Sequence, residues 1–93
     1  MFKAIRNLFR RKTYPRIELR ADGRRGYLAY IDKTKEALMY WEMSSSENYH
    51  LIVYPQSLEN WSDRVAVSTD EKIKVLQAFK DWAHQKRYRV QWE

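Results

Sequence analysis

One segment constrains the fold more than any other: a helix start signal at residues 68–71, followed by an apolar stripe. Ser68 and Glu71 have the Ser-x-x-Glu spacing of a capping box, in which the hydroxyl and the carboxylate each bond a free backbone N–H. A helix with one apolar face must pack against another element, so the rest of the chain has to supply a second layer. The predicted apolar face contains Ile73, Val75, Leu76, Phe79, Trp82 and Ala83.

The second layer is predicted to be a sheet. Pro15 ends any preceding helical run, and from residue 16 polar and apolar residues alternate with a period of two. Polar turns, including one with Asp22 and Gly23, separate the candidate strands, and Pro55 closes the fourth. After Pro55 we expect a short turn that points Leu58 and Trp61 inward. The predicted strands are residues 16–20, 27–31, 36–43, 49–54 and 88–92.

These elements predict a single α+β domain over residues 16–93. Its expected architecture is an antiparallel meander of four strands plus a C-terminal strand, packed against one long C-terminal helix. Residues 1–15 form a separate basic segment, in which Phe2, Ile5, Leu8 and Phe9 recur at helical spacing and predict a short amphipathic helix.

Charge is concentrated at the start of the chain. Residues 1–25 hold nine Lys or Arg and two acidic residues, a net charge of +7, whereas the whole chain carries +6. Such asymmetry favours contact with an anionic partner. The candidate anion-binding residues are Lys3, Arg6, Arg10, Arg11, Lys12, Arg24 and Arg25.

The basic segment admits three interpretations. It could bind nucleic acid by neutralising phosphates, with exposed aromatic rings stacking on bases. It could lie on an anionic membrane surface with its apolar residues inserted. Alternatively, the apolar residues pack on the protein's own sheet and the cations are solvated. The sequence leaves all three open.

Residues with catalytic potential are few. The chain has no cysteine, and His50 and His84 belong to no cluster with metal-ligand spacing. Glu36 and Glu42 could share one face of a strand and do acid and base work, but a solvated strand face is the better explanation. We therefore predict no enzymatic activity, no cofactor, no metal and no small-molecule substrate. Without a secretory signal or a run of 18 apolar residues, the expected location is cytoplasmic.

The second half of the chain resembles a known family. An apolar strand, residues 49–54, leads to a segment with Ser57 and Trp61, then to the capped helix and a closing strand at 88–92. Over residues 27–93 this order resembles the small immunity proteins of bacterial polymorphic toxin systems. The resemblance implies a protein that binds and neutralises a cognate toxin. Many nuclease inhibitors are acidic, so the charge of +6 implies a toxin with an acidic surface.

The predicted function is therefore non-catalytic binding of a protein partner, with nucleic-acid binding or peripheral membrane attachment as alternatives. The expected contact surface is the exposed sheet face together with the loops at 44–48 and 56–64. The candidate partner-binding residues are Tyr40, Glu42, Tyr49, Trp61 and Arg64.

Overall fold

The structure is a computed structural model that describes residues 14–93. It confirms the α+β class: four consecutive strands form an antiparallel meander, and the C-terminal strand pairs in parallel with the fourth. The predicted amphipathic helix near the N-terminus lies outside the described residues. The elements are β1 (Arg16–Asp22), β2 (Arg25–Asp32), β3 (Lys35–Met43), β4 (Leu51–Tyr54), a 3-10 turn (Pro55–Ser57), α1 (Thr69–Gln85) and β5 (Val90–Trp92).

Two tight turns set the register of the first three strands. Asp22 pairs with Arg25 and Asp32 with Lys35, so each turn contains only two residues. Gly23 begins the first turn with φ of +69°, a left-handed conformation that glycine adopts without a steric cost. In β2, a Cβ on Gly26 would lie 1.8 Å from the Arg20 carbonyl oxygen. Glycine is therefore required there for the close approach of β1 and β2.

The hydrophobic core lies between α1 and one face of the sheet, which we call the helix side. Alternate residues of the central strands point to it, as the predicted period of two requires. Leu58 and Trp61 fold in beneath the sheet edge as expected, with exposed fractions of 1% and 4%. The buried cluster comprises Leu28, Tyr30, Ala37, Met39, Trp41, Leu51, Val53, Leu58, Trp61, Val67, Val75 and Phe79.

The predicted helix start is confirmed. The Ser68 Oγ accepts a hydrogen bond from the Glu71 N–H at 3.2 Å, and the Glu71 carboxylate accepts one from the Ser68 N–H at 2.9 Å. Both bonds satisfy donors that have no partner within the helix. The hydrogen bonds with Ser68 also stabilise the ionised carboxylate and so lower the pKa of Glu71.

The predicted apolar face of α1 is correct except at its first member. Val75, Phe79 and Ala83 are buried, whereas Ile73 is 65% exposed. At 3.6 residues per turn, Ile73 points about 120° away from Phe79 and so does not contact the sheet.

The closing strand is shorter than predicted. It begins at Val90, because the chain leaves the helix through Arg87, which has a φ of +60°.

Core packing predicts a large difference between two substitutions on α1. Phe79→Ala should lower the free energy of unfolding by about 3–5 kcal/mol, because it removes a ring with no exposed surface. Ile73→Ala, on the solvated side of the same helix, should change it by less than about 0.5 kcal/mol. Urea denaturation followed by circular dichroism measures both. Similar losses for the two variants would contradict this placement of α1.

Candidate functional site

The sheet face that α1 does not cover carries three tyrosines in one row. Tyr27 of β2 is the cross-strand partner of Tyr40 on β3, and Tyr40 is the partner of Tyr54 on β4. The first two rings meet edge to face at 5.9 Å, and the second pair stacks at 5.6 Å. We call these three residues the tyrosine row and this side of the sheet the open face. Tyr27 is the most accessible of the three, with 47% of its surface exposed.

Hydrogen bonds fix the outer end of the tyrosine row. The Tyr54 hydroxyl donates to the Glu42 carboxylate, a bond that raises the pKa of Tyr54 to about 12. The backbone behind it is held by Ser57, whose Oγ accepts from the Tyr40 N–H at 2.7 Å and donates to the Tyr54 carbonyl at 2.6 Å. The rings are therefore presented by a rigid surface, which lowers the entropic cost of binding.

An ion pair covers the middle of the open face. The Arg20 guanidinium on β1 donates two hydrogen bonds of 2.8 Å to the Glu36 carboxylate on β3. These side chains cross over β2, where the small Ala29 lies fully buried beneath them. The hydrogen bonds lower the pKa of Glu36. The pair thus stabilises the folded chain near neutral pH, and this contribution is lost as the pH falls through the folded-state pKa.

The open face has no excess of positive charge. Its charged residues alternate in sign, both along β1 and from β2 to β3, where Arg25 is the cross-strand partner of Glu42. The strand residues on this side include three cations and four carboxylates. The cations are Arg16, Arg20 and Arg25, and the carboxylates are Glu18, Asp22, Glu36 and Glu42. A hollow of about 370 Å³ opens beside Tyr27 and Tyr40, between Arg20 and Arg25.

A second concave region lies on the helix side, beyond the C-terminal end of α1. This groove of about 430 Å³ is mostly apolar, and its lining includes Leu19, Trp41, Met43, Tyr49 and Tyr88. Arg89 ties one wall in place, with Nε donating to the Asn48 carbonyl at 2.9 Å and the backbone N–H donating to the His50 Nδ1 at 3.0 Å. His50 therefore acts as a structural acceptor in this wall.

The predicted partner-binding residues do not form one surface. Tyr40 and Glu42 lie on the open face, whereas Tyr49 lines the groove on the helix side. Trp61 is buried, its ring 6.1 Å from that of Tyr30 and 4.4 Å below the Lys35 ammonium, so it supports the core. Arg64 is exposed in the loop that follows Trp61.

The predicted anion-binding residues divide between two regions. Arg24 and Arg25 are exposed at the β1–β2 turn, and Arg25 is the cross-strand partner of Glu42. The remaining five, Lys3, Arg6, Arg10, Arg11 and Lys12, lie outside the described residues.

Tyr27 and Tyr54 were not predicted as site residues, although both belong to the tyrosine row. The missing information was the strand register. A two-residue turn between Asp32 and Lys35 would have paired Tyr27 with Tyr40 directly. The pairing of Tyr40 with Tyr54 could not be predicted in the same way. A long loop joins the nine-residue β3 to the four-residue β4, so the sequence does not determine their register.

The two carboxylates considered for acid and base chemistry lie far apart. Glu36 and Glu42 share the open face, as considered above, but six residues of strand separate their Cα atoms by about 20 Å. Within residues 14–93 no group of three or more His, Cys, Asp or Glu side chains could hold a metal ion. Over the same residues, no helix has both the length and the hydropathy that crossing a membrane requires.

Comparisons with protein-family models, curated proteins and solved structures found no match.

The bond between Tyr54 and Glu42 predicts a titration. Because the protonated phenol donates to a carboxylate, the ¹³Cζ resonance of Tyr54 should titrate at about 12 in the wild type, and Glu42→Gln should move it towards 10. The bond stabilises the fold below pH 10, and its contribution is lost as the pH rises from 10 to 12. Glu47→Gln, in the exposed loop, should leave the midpoint unchanged. An unshifted midpoint in Glu42→Gln would show that the bond does not form.

Proposed function

We propose that this chain is a non-catalytic protein-binding domain whose contact surface is the open face, with the tyrosine row at its centre. The observation that carries the proposal is the row itself: three rings in register across three strands, with Tyr27 47% exposed. Tyrosine is enriched in protein interfaces, where it buries a large area with few rotatable bonds. Such anchors dominate the binding energy when they lie near the centre of a contact.

The charges around the tyrosine row favour a protein over a nucleic acid at this face. A sheet that stacks bases on its rings also needs cations that follow the phosphate backbone. Here three cations are offset by four carboxylates, and two of those carboxylates, Glu36 and Glu42, lie on the same strand as Tyr40. Phosphates approaching the rings would meet these carboxylates. Balanced charges of alternating sign instead suit a partner with a complementary pattern.

The kind of partner follows from the resemblance to immunity proteins, and we infer a bacterial toxin domain. In this chain Ser57 and Trp61, two of the residues that carry the resemblance, have structural roles: Ser57 completes the edge of β3 and Trp61 fills the core. The shared features thus maintain the scaffold, and recognition is left to the open face. A toxin inhibitor needs only tight binding, which is consistent with a face whose rings are held by hydrogen bonds.

The proposal predicts which substitutions weaken toxin binding. Tyr27→Ser and Tyr40→Ser should each reduce the affinity for a cognate toxin by roughly 30-fold, about 2 kcal/mol, because each removes a central ring. Ile73→Ser is the matched control, since it removes an exposed apolar side chain from the far side of α1. Isothermal titration against the product of a candidate toxin gene measures the affinities, and growth of cells expressing that toxin reports protection.

The result that would contradict the proposal is also specific. If Ile73→Ser weakened binding as much as the two tyrosine variants, or if none of the three did, the open face would not be the contact surface. Unfolding free energies measured in parallel separate a lost contact from a lost fold.

The charge of residues 1–25 favours nucleic-acid binding as a second candidate. Under that hypothesis, affinity for single-stranded RNA or DNA should fall steeply with salt and should weaken in Arg24→Gln/Arg25→Gln. Fluorescence anisotropy with a labelled oligonucleotide at two salt concentrations tests it. The control is Glu47→Gln, which changes the net charge by one in the exposed loop between β3 and β4 and leaves the β1–β2 turn unaltered. Affinity unaffected by the paired substitution would exclude a contact at the β1–β2 turn.

A further inference from the structure

Strand β1 is an edge of the sheet, and no other described strand pairs with its outer side. Within residues 14–93 it pairs only with β2, through seven consecutive residue pairs. Asp22 and Arg25 flank a two-residue turn and so exchange both backbone hydrogen bonds. Alternation along the strand then leaves the N–H and C=O groups of Ile17, Leu19 and Ala21 directed outward. Three outward residues provide six hydrogen-bonding groups.

Exposed edges are usually protected from strand addition by proline, by a bulge or by charged side chains, above all lysine. Strand β1 carries four charged side chains, but they alternate in sign, and it has neither of the other two devices. The seven residues of β1 contain neither proline nor lysine, and their register with β2 is continuous. Leu19, at the centre of the strand, is 38% exposed on the helix side. An additional strand would cover that side chain.

The charges of β1 identify the strand that fits. On the open face Arg16, Glu18, Arg20 and Asp22 alternate in sign. When a second β1 pairs in the antiparallel direction with Leu19 opposite Leu19, Arg16 faces Asp22 and Glu18 faces Arg20. The two-fold axis repeats both contacts, which gives four pairs of opposite charge.

Other registers of the same two strands are less favourable. Centring the pair on Glu18 would place Glu18 opposite Glu18 and Arg16 opposite Arg20, and centring it on Arg20 would oppose Glu18 to Asp22. Like charges directly opposite are destabilising. Registers centred on Ile17 or Ala21 keep fewer pairs, because β1 ends at Arg16 and Asp22. Only the Leu19 register uses the full strand and also pairs its three outward-directed residues.

We propose that two copies of this chain associate through β1 in the antiparallel Leu19 register, forming a continuous ten-stranded sheet. Six backbone hydrogen bonds join the copies, two of them between the facing Leu19 residues. The leucines cover each other on the helix side. On the open face opposite charges face each other across the junction, while Arg20 keeps its bonds to Glu36 and Glu18 within each copy. The tyrosine rows of both copies remain accessible on one side of the joined sheet, because β1 contributes no ring to them. This proposal does not depend on the identity of the binding partner.

Sedimentation of the full chain over a range of concentrations tests the association. The expected species is twice the chain mass of 11.4 kDa. Leu19→Pro should weaken association about tenfold or more, because it removes the outward N–H at the two-fold axis, a change that an edge strand tolerates. Leu19→Ala keeps that N–H and is the matched control, with a smaller effect. A chain that remains a monomer at every concentration would overturn the proposal.

Disulfide trapping tests the register without depending on Leu19→Pro being folded. The chain has no cysteine, so a single Leu19→Cys variant reports only contacts between copies. Facing residues have Cα atoms about 5.5 Å apart, within reach of a disulfide, so Leu19→Cys should form a covalent dimer on oxidation. Ala21→Cys should not, because two copies of residue 21 would lie about 14 Å apart. Equal crosslinking of both variants, or none in either, would overturn the register.

Discussion

The structure depends first on two turns of two residues each. They determine which residues of β1, β2 and β3 face one another, and a shift of one residue would exchange the two faces of the sheet. With the observed register, Leu28 and Tyr30 reach the core under α1 while Tyr27 remains on the open face. The core, the tyrosine row and the charge pattern of the β1 edge therefore all follow from the same pairings.

Much of the fold could be predicted from the sequence, because its signals are local. The capping box required only Ser68 and Glu71, and the strands required only an alternation of period two. The exposure of Ile73 could not be predicted as easily, because it depends on which side of α1 meets the sheet. Likewise, the direction of β5 depends on where α1 returns the chain, and nothing between residues 86 and 92 encodes that.

The candidate site was less predictable for the same reason. Tyr40 and Tyr49 have the same chemical character, and only the three-dimensional structure shows that they lie on opposite sides of the sheet. Trp61 attracts attention in the sequence as a large aromatic residue beside a polar loop, yet burial of its ring serves the core better than exposure. Sequence patterns indicate which residue types are present, whereas a binding surface depends on long-range register.

The parallel pairing of β4 with β5 has a consequence for the folding pathway. The first two hairpins close through two-residue turns and the third through the seven residues 44–50. By contrast, Leu51 and Val90 are separated by 39 positions, and α1 lies between them. Closing such a loop costs more conformational entropy than forming a hairpin, so β5 should join the sheet last. Until β5 joins, the outer edge of β4 is unpaired, so this apolar strand is exposed during folding although the native protein covers it.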